Sequence, residues 1–187
     1  MRCLIALFFA TTLLSAETRV RIDTTLGAIV VSVDEKRAPQ TVANFLRYVD
    51  DGKYNGGRFH RTVKVAPDNQ PANSVKIEVI QAGPAEGQPA FPPIPLERTT
   101  VTGLKHIDGA ISMARDGPDT ATGDFFICIG AQPELDFAGR RNADGQGFAA
   151  FGKVLSGMDV VKKIQQAPAD GQKLNPPVAI RKVERLH

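Results

Sequence analysis

Very few residues in this chain are of types that make or break covalent bonds. There are three histidines, His60, His106 and His187, and two cysteines, Cys3 and Cys128. They are too scattered for a Cys/His zinc site, and the H-E-x-x-H pattern is absent. His106-Ile107-Asp108 followed by Ser112 holds the residue types of a nucleophilic triad. No strand-to-helix elbow accompanies them to raise and expose the serine. Neither G-x-x-x-x-G-K-[ST] nor G-x-G-x-x-G occurs, so nothing cradles a phosphate or a dinucleotide. Cys128 lies in the apolar run Phe125-Phe126-Ile127-Cys128-Ile129. That context predicts a small buried hydrophobe and not a reactive thiol. Arg61 lies between the apolar Phe59 and Val63 in Arg58-Phe59-His60-Arg61-Thr62-Val63, and its neighbours alone read as those of a strand arginine whose stem snorkels.

The elements that carry these residues read as mainly β. The chain has 187 residues, 42% hydrophobic and 23% charged, with 17 glycines and 13 prolines. That composition suits one globular domain with many turns. Arg19 to Asp23 and Ala28 to Val33 read as strands joined by Thr24-Thr25-Leu26-Gly27, a hairpin. Pro39 opens a helix whose Val42, Phe45, Leu46 and Val49 share a face, and Gly52 closes it. Arg58 to Val63 is strand-like. Thr62 to Val65 and Val75 to Val79 flank Pro67–Pro71 and predict an extended hairpin. Prolines from Pro84 to Pro95 exclude a central strand or helix there. Strands follow at Gly109 to Met113, Phe125 to Ile129 and Ala149 to Val154. A helix at Met158 to Gln166 and a closing strand at Val178 to Val183 complete the chain. About eight short strands and two helices predict a barrel or sandwich.

Met1-Arg2-Cys3, the apolar run Leu4 to Leu14 and Ser15-Ala16 predict a secretory signal peptide over 1–16, with a domain over 17–187. The run falls short of the roughly 20 residues of a membrane span. The expected location is periplasmic or secreted, with no membrane association after cleavage. Cleavage would leave Cys128 as the only thiol, so no internal disulfide is expected. The net charge of +3 and sparse aromatics give no nucleic-acid footprint. A monomer is the default.

Several segments, in order, resemble the cyclophilin-type peptidyl-prolyl cis–trans isomerases. They are Ala38-Pro39-Gln40-Thr41-Val42-Ala43-Asn44-Phe45, Tyr54-Asn55-Gly56-Gly57-Arg58-Phe59-His60-Arg61 and Val79-Ile80-Gln81-Ala82-Gly83. Gly109-Ala110-Ile111-Ser112-Met113-Ala114-Arg115, Asp124-Phe125-Phe126-Ile127 and Phe151-Gly152-Lys153-Val154 follow. The signal peptide and the Ala114-Arg115 pair resemble the exported bacterial branch. The resemblance implies a closed eight-stranded antiparallel β-barrel capped by two α-helices. It implies a cofactor-free isomerase acting on proline-containing polypeptides, with no metal. Peptide rotation faces a barrier of about 18–20 kcal/mol from amide resonance. When the bond twists, the proline nitrogen recovers a lone pair that a fixed guanidinium can bond.

By resemblance Arg61 is that guanidinium. Phe126, Leu135 and Phe148 line the proline pocket, and Val79 falls at a pocket position. Gln81 bonds the substrate backbone, Ala114 offers backbone groups, and Arg115 stands beside it in the binding segment. His60 is expected to face away from Arg61 as a buried, hydrogen-bonded structural residue. The chain departs from the family pattern at Phe148, at Glu134 (a carboxylate in one pocket wall) and at Asp124. Glu78 falls at another pocket position. Longer segments lie around Pro67–Pro71, expected to overhang the groove, and Gly139–Gly147. The added carboxylates motivate an alternative, a non-catalytic proline-binding or holdase module on the same barrel.

Overall fold

A computed structural model describes residues 17–186; the expected signal peptide, 1–16, lies outside the described residues. Strands β1 (Thr18–Thr24) and β2 (Gly27–Val33) form the predicted hairpin. The Thr24 hydroxyl donates to the Gly27 carbonyl (2.7 Å) and accepts from the Leu26 N–H (3.0 Å). Gly27 has φ +133°, and a Cβ there would meet Val160 at 2.7 Å, so the turn requires glycine. Helix α1 (Pro39–Asp50) buries Val42, Phe45, Leu46 and Val49, as their spacing predicts. Ala38 supplies no cap. The Glu97 carboxylate instead accepts from the Thr41 N–H (2.7 Å), the Thr41 hydroxyl (2.6 Å) and the Gln40 N–H (3.2 Å).

The remaining elements are β3 (Arg58–Val63), β4 (Val79–Gly83), one-turn α2 (Thr99–Thr102), β5 (Ala110–Met113), β6 (Phe125–Cys128), β7 (Ala149–Ser156), α3 (Met158–Gln165), β8 (Ala169–Asp170) and β9 (Lys173–Leu186). The ladder runs β1-β2-β7-β5-β6-β4-β3-β9, and β9 pairs back onto β1. Eight strands thus close an antiparallel barrel, which leaves no long open edge. The two-residue β8 hangs on β9. Helix α2 is additional to the two expected. Strand β9 starts earlier than Val178, and its Pro176-Pro177 falls between the Phe59–Val178 and Arg61–Lys173 pairs. A ladder interruption is where proline costs no hydrogen bond.

Two apolar clusters result. The larger fills the barrel and packs its helices: Phe45 lies 5.1 to 5.6 Å from the rings of Tyr54, Phe125 and Phe151. The smaller comprises Val63, Ile77, Val79, Ala110, Phe126, Cys128 and Leu135, with Ala114 and Phe148 against it. Adjacent Phe125 and Phe126 go to different clusters, as alternation on a strand requires. Cys128 is fully buried, and burial pushes its thiol pKa up.

The segment 64–78 corrects one expectation. β3 and β4 pair as far as Val63–Val79, but the residues between form no extended hairpin. Side-chain amides replace the ladder. Asn69 accepts from the Lys64 N–H (2.9 Å) and donates to the Thr62 carbonyl (2.9 Å). Buried Gln70 donates to the carbonyls of Lys64 (3.1 Å) and Ile77 (2.8 Å). These bonds fold the segment into a compact loop.

Candidate active site

Arg61 is placed by a β-bulge. Phe59 pairs with Ala82 and Arg61 with Gln81, so His60 is an extra residue on β3. The expectation that His60 is buried and faces away is therefore corrected. The bulge breaks simple alternation, and His60 and Arg61 line the same cleft. The His60 side chain is 35% exposed, with Nε2 3.6 Å from Asp124 Oδ2.

The Arg61 guanidinium is held on two sides. Nε and Nη2 donate to Gln172 Oε1 (2.9 and 2.7 Å), and Nη1 donates to Gln81 Oε1 (3.0 Å). Gln81 Nε2 donates onward to Asp124 (3.1 Å), and Gln172 Nε2 to the Asn69 carbonyl (3.1 Å). An arginine has five N–H donors. Three are spent here, which leaves one on each terminal nitrogen. Burial lowers the Arg61 pKa, yet a guanidinium stays charged in proteins.

Arg61 and Gln81 border an open cleft of about 460 Å³. Val79, Ile77, Phe126 and Phe148 supply its apolar lining. The Phe126 and Phe148 rings meet edge to face at 5.3 Å. A second cleft of about 760 Å³ opens beside Arg61, between β3, Asp124 and the β8–β9 turn.

The structure brings Arg61, Gln81, Val79, Phe126, Phe148 and Ala114 together around one cleft. Ala114 spends its N–H on the Asp124 carbonyl (2.9 Å), so the backbone group it can offer is its carbonyl. Three expectations change. Leu135 is 1% exposed and lies behind the lining, where its carbonyl accepts from the Phe148 N–H (2.9 Å). Arg115 reaches the wall, but its guanidinium is committed. It binds Asp144 through both terminal nitrogens (2.7 and 3.0 Å), donates to the Gly147 carbonyl (2.8 Å) and lies 5.0 Å from the Phe148 ring centre. Arg115 therefore fixes Phe148 and its loop. Neither Glu78 nor Glu134 lines the cleft: Gln165 bonds Glu78 (3.0 Å) and Arg140 bonds Glu134 (2.7 Å). Ile77 takes the wall position in place of Glu78.

Sequence reasoning missed Gln172, Ile77 and Arg141. Gln172 sits in a turn with no periodic pattern to flag it. Ile77 alternates with Val79, a signal that was present. Among the described residues no group of three His, Cys, Asp or Glu side chains is placed to hold a metal ion.

The model of the family "Cyclophilin type peptidyl-prolyl cis-trans isomerase/CLD" matches residues 19–185. Peptidyl-prolyl cis-trans isomerase A of Dickeya dadantii is 36% identical over 167 residues, 87% of this chain and 77% of that protein. Peptidyl-prolyl cis-trans isomerase B of Escherichia coli is 35% identical over 147 residues, 78% of this chain and 83% of that protein. The crystal structure of a cyclophilin-type isomerase from Cryptosporidium parvum superimposes with a TM-score of 0.73 at 22% identity. It covers 92% of this chain and 99% of that one. A second structure of that protein, obtained in the presence of the dipeptide Ala-Pro, gives 0.72. The closed barrel, the near-complete family match and these relatives converge: the chain belongs to the cyclophilin-type peptidyl-prolyl cis–trans isomerase family.

Proposed function

We propose that the cleft beside Arg61 accelerates X–Pro rotation in exported polypeptides during their folding. The carrying observation is the pair of unspent Arg61 N–H groups beside an apolar lining of Phe126 and Phe148. The proline ring rests on that lining, and Gln81 and the Ala114 carbonyl grip the flanking backbone. As the amide twists, its nitrogen becomes a hydrogen-bond acceptor, and an Arg61 N–H donates to it. The planar ground state has no such acceptor, so the bond lowers the barrier and not merely the binding energy. Gln172 and Gln81 hold the guanidinium beforehand, so little reorganisation is needed at the moment of reaction.

The exported setting rests on the signal-peptide pattern of 1–16. The enzyme acts as a monomer without a cofactor. Of the three carboxylates that motivate a non-catalytic module, Glu78 and Glu134 stand outside the cleft, which favours catalysis; Asp124 lines it and accepts from Gln81 Nε2 (3.1 Å). Magnetisation exchange on a blocked Ala-Pro peptide tests the activity: substoichiometric protein speeds isomerisation, and unchanged exchange overturns it. Fractionation and N-terminal sequencing of expressed protein test the export: a new terminus at Glu17 supports it, and a full-length cytoplasmic protein refutes it.

A further inference from the structure

The two longer loops meet at the cleft. Loop 64–78 contributes Asn73 to its wall, and loop 136–148 contributes Arg141 and Asn142. Arg141 ties one loop to the other: Nη1 donates to Gln70 Oε1 (2.9 Å) and to the Val75 carbonyl (2.5 Å). Gln70 is itself 2% exposed and pinned to Lys64 and Ile77. The anchor is therefore rigid, and it holds Arg141 by one nitrogen only. Its Nε and Nη2 N–H groups bond to nothing among the described residues.

The charge of Arg141 is also uncompensated. Among the described residues neither Arg141 nor Arg61 forms an ion pair with a carboxylate, whereas Arg115 is matched by Asp144. The cleft's own carboxylates, Asp116 and Asp124, stand on the 114–124 segment and bond to neither guanidinium. Burial, and then the nearby charge of Arg61, lower the pKa of Arg141. Two half-buried cations in one cleft, neither paired with a carboxylate among the described residues, are stabilised by an anion brought by the ligand.

We propose that Arg141 is a specificity-determining residue that receives an acidic side chain next to the substrate proline. This rests on the proposed isomerase function and adds to it a substrate class, acidic proline segments. A single pinned guanidinium meets one residue of an extended peptide, so the preference falls on one side of the proline only. The carboxylate fits a planar guanidinium better than a neutral amide does, and the remaining donors suit a bidentate pair.

The test uses full-length protein and peptides blocked at both ends, so that only side chains carry charge. Glu or Gln is placed in turn at each of the two positions before and after proline, and Kd is measured by titration. At one position Glu binds more tightly than Gln by about fivefold at low salt. That ratio falls below about twofold in 0.5 M salt. It approaches one in Arg141→Gln, whose amide can still bond the Val75 carbonyl, and survives in Arg141→Lys. Equal Kd values at all four positions, a preference on both sides, or a ratio retained in Arg141→Gln overturns the proposal. Magnetisation exchange on the Gln peptides is read separately. Its absence counts against the isomerase function, while the Glu-to-Gln ratio still decides the role of Arg141.

Discussion

Phe126 stands on β6 between Gln81 of β4 and Ser112 of β5, and each neighbour belongs to a polar network. On the Ser112 side the network is closed. His106 Nδ1 lies 2.7 Å from Asp136, Nε2 lies 3.0 Å from the Ser112 hydroxyl, and the ring stacks on Phe126 at 5.9 Å. His106 is 2% exposed and Ser112 is fully buried. Its residues are those of a hydrolytic triad, yet no substrate reaches the serine. On the Gln81 side, Arg61 keeps two N–H groups free and faces a cleft. Residue types therefore do not separate an accessible site from scaffold here. Unspent donors with access to a ligand do.

The ring between the two networks bears on both. Phe126→Ala removes packing from both, and is expected to cost about 3–5 kcal/mol of stability together with the isomerase activity. Urea unfolding with an unshifted midpoint would make Phe126 a surface lining and no more. Next, His106→Ala leaves Asp136 and Ser112 without their partner. Denaturation is expected to show a loss of about 1–3 kcal/mol. Turnover per folded molecule should fall less than in Arg61→Ala; a larger fall would put His106 in the chemistry.

Gln172→Ala tests positioning. It is expected to lower kcat about threefold to tenfold with KM unchanged, because the guanidinium loses two of its three bonds. Gln172→Glu, which still accepts both bonds, should restore most of the rate. A change confined to KM would make Gln172 a substrate contact instead.

The smallest effect is in the pH dependence. Burial by itself raises the Asp136 pKa, but the His106 hydrogen bonds and the nearby positive charge of Lys105 together outweigh it and hold the carboxyl below its ordinary value. A depressed carboxylate stabilises the fold above its unfolded pKa, and that stability is lost as pH falls through the folded value. The urea midpoint should drop on acidification below the ordinary aspartate range, with a shallower drop in Asp136→Asn. Parallel profiles would remove Asp136 from the balance.

The elements were legible because they obey simple periods, which left barrel or sandwich open; the closed barrel came from the resemblance. The α1 face, the β1–β2 hairpin and the Phe125/Phe126 alternation all follow from spacing. Most of the cleft was legible from resemblance, since Arg61, Gln81, Val79, Phe126, Phe148 and Ala114 keep their order along the chain. What escaped depends on departures from periodicity. The extra residue at His60 turned it toward Arg61, and Asn69 and Gln70 replaced a ladder by side-chain bonds. Arg115 chose Asp144, a partner in a loop with no pattern of its own. Leu135 could be assigned to the pocket, but not to its lining or the layer behind.

The most direct measurement is isomerase turnover together with the unfolding midpoint on the same samples of wild type, Arg61→Ala and Arg61→Lys. Turnover of Arg61→Ala is expected to fall at least about tenfold, equivalent to about 1.4 kcal/mol of barrier, with the midpoint near wild type. Lysine should recover little, because a point charge cannot hold Gln172 and Gln81 while still donating to the proline nitrogen. Wild-type turnover in folded Arg61→Ala would contradict the assignment of catalysis to the open network.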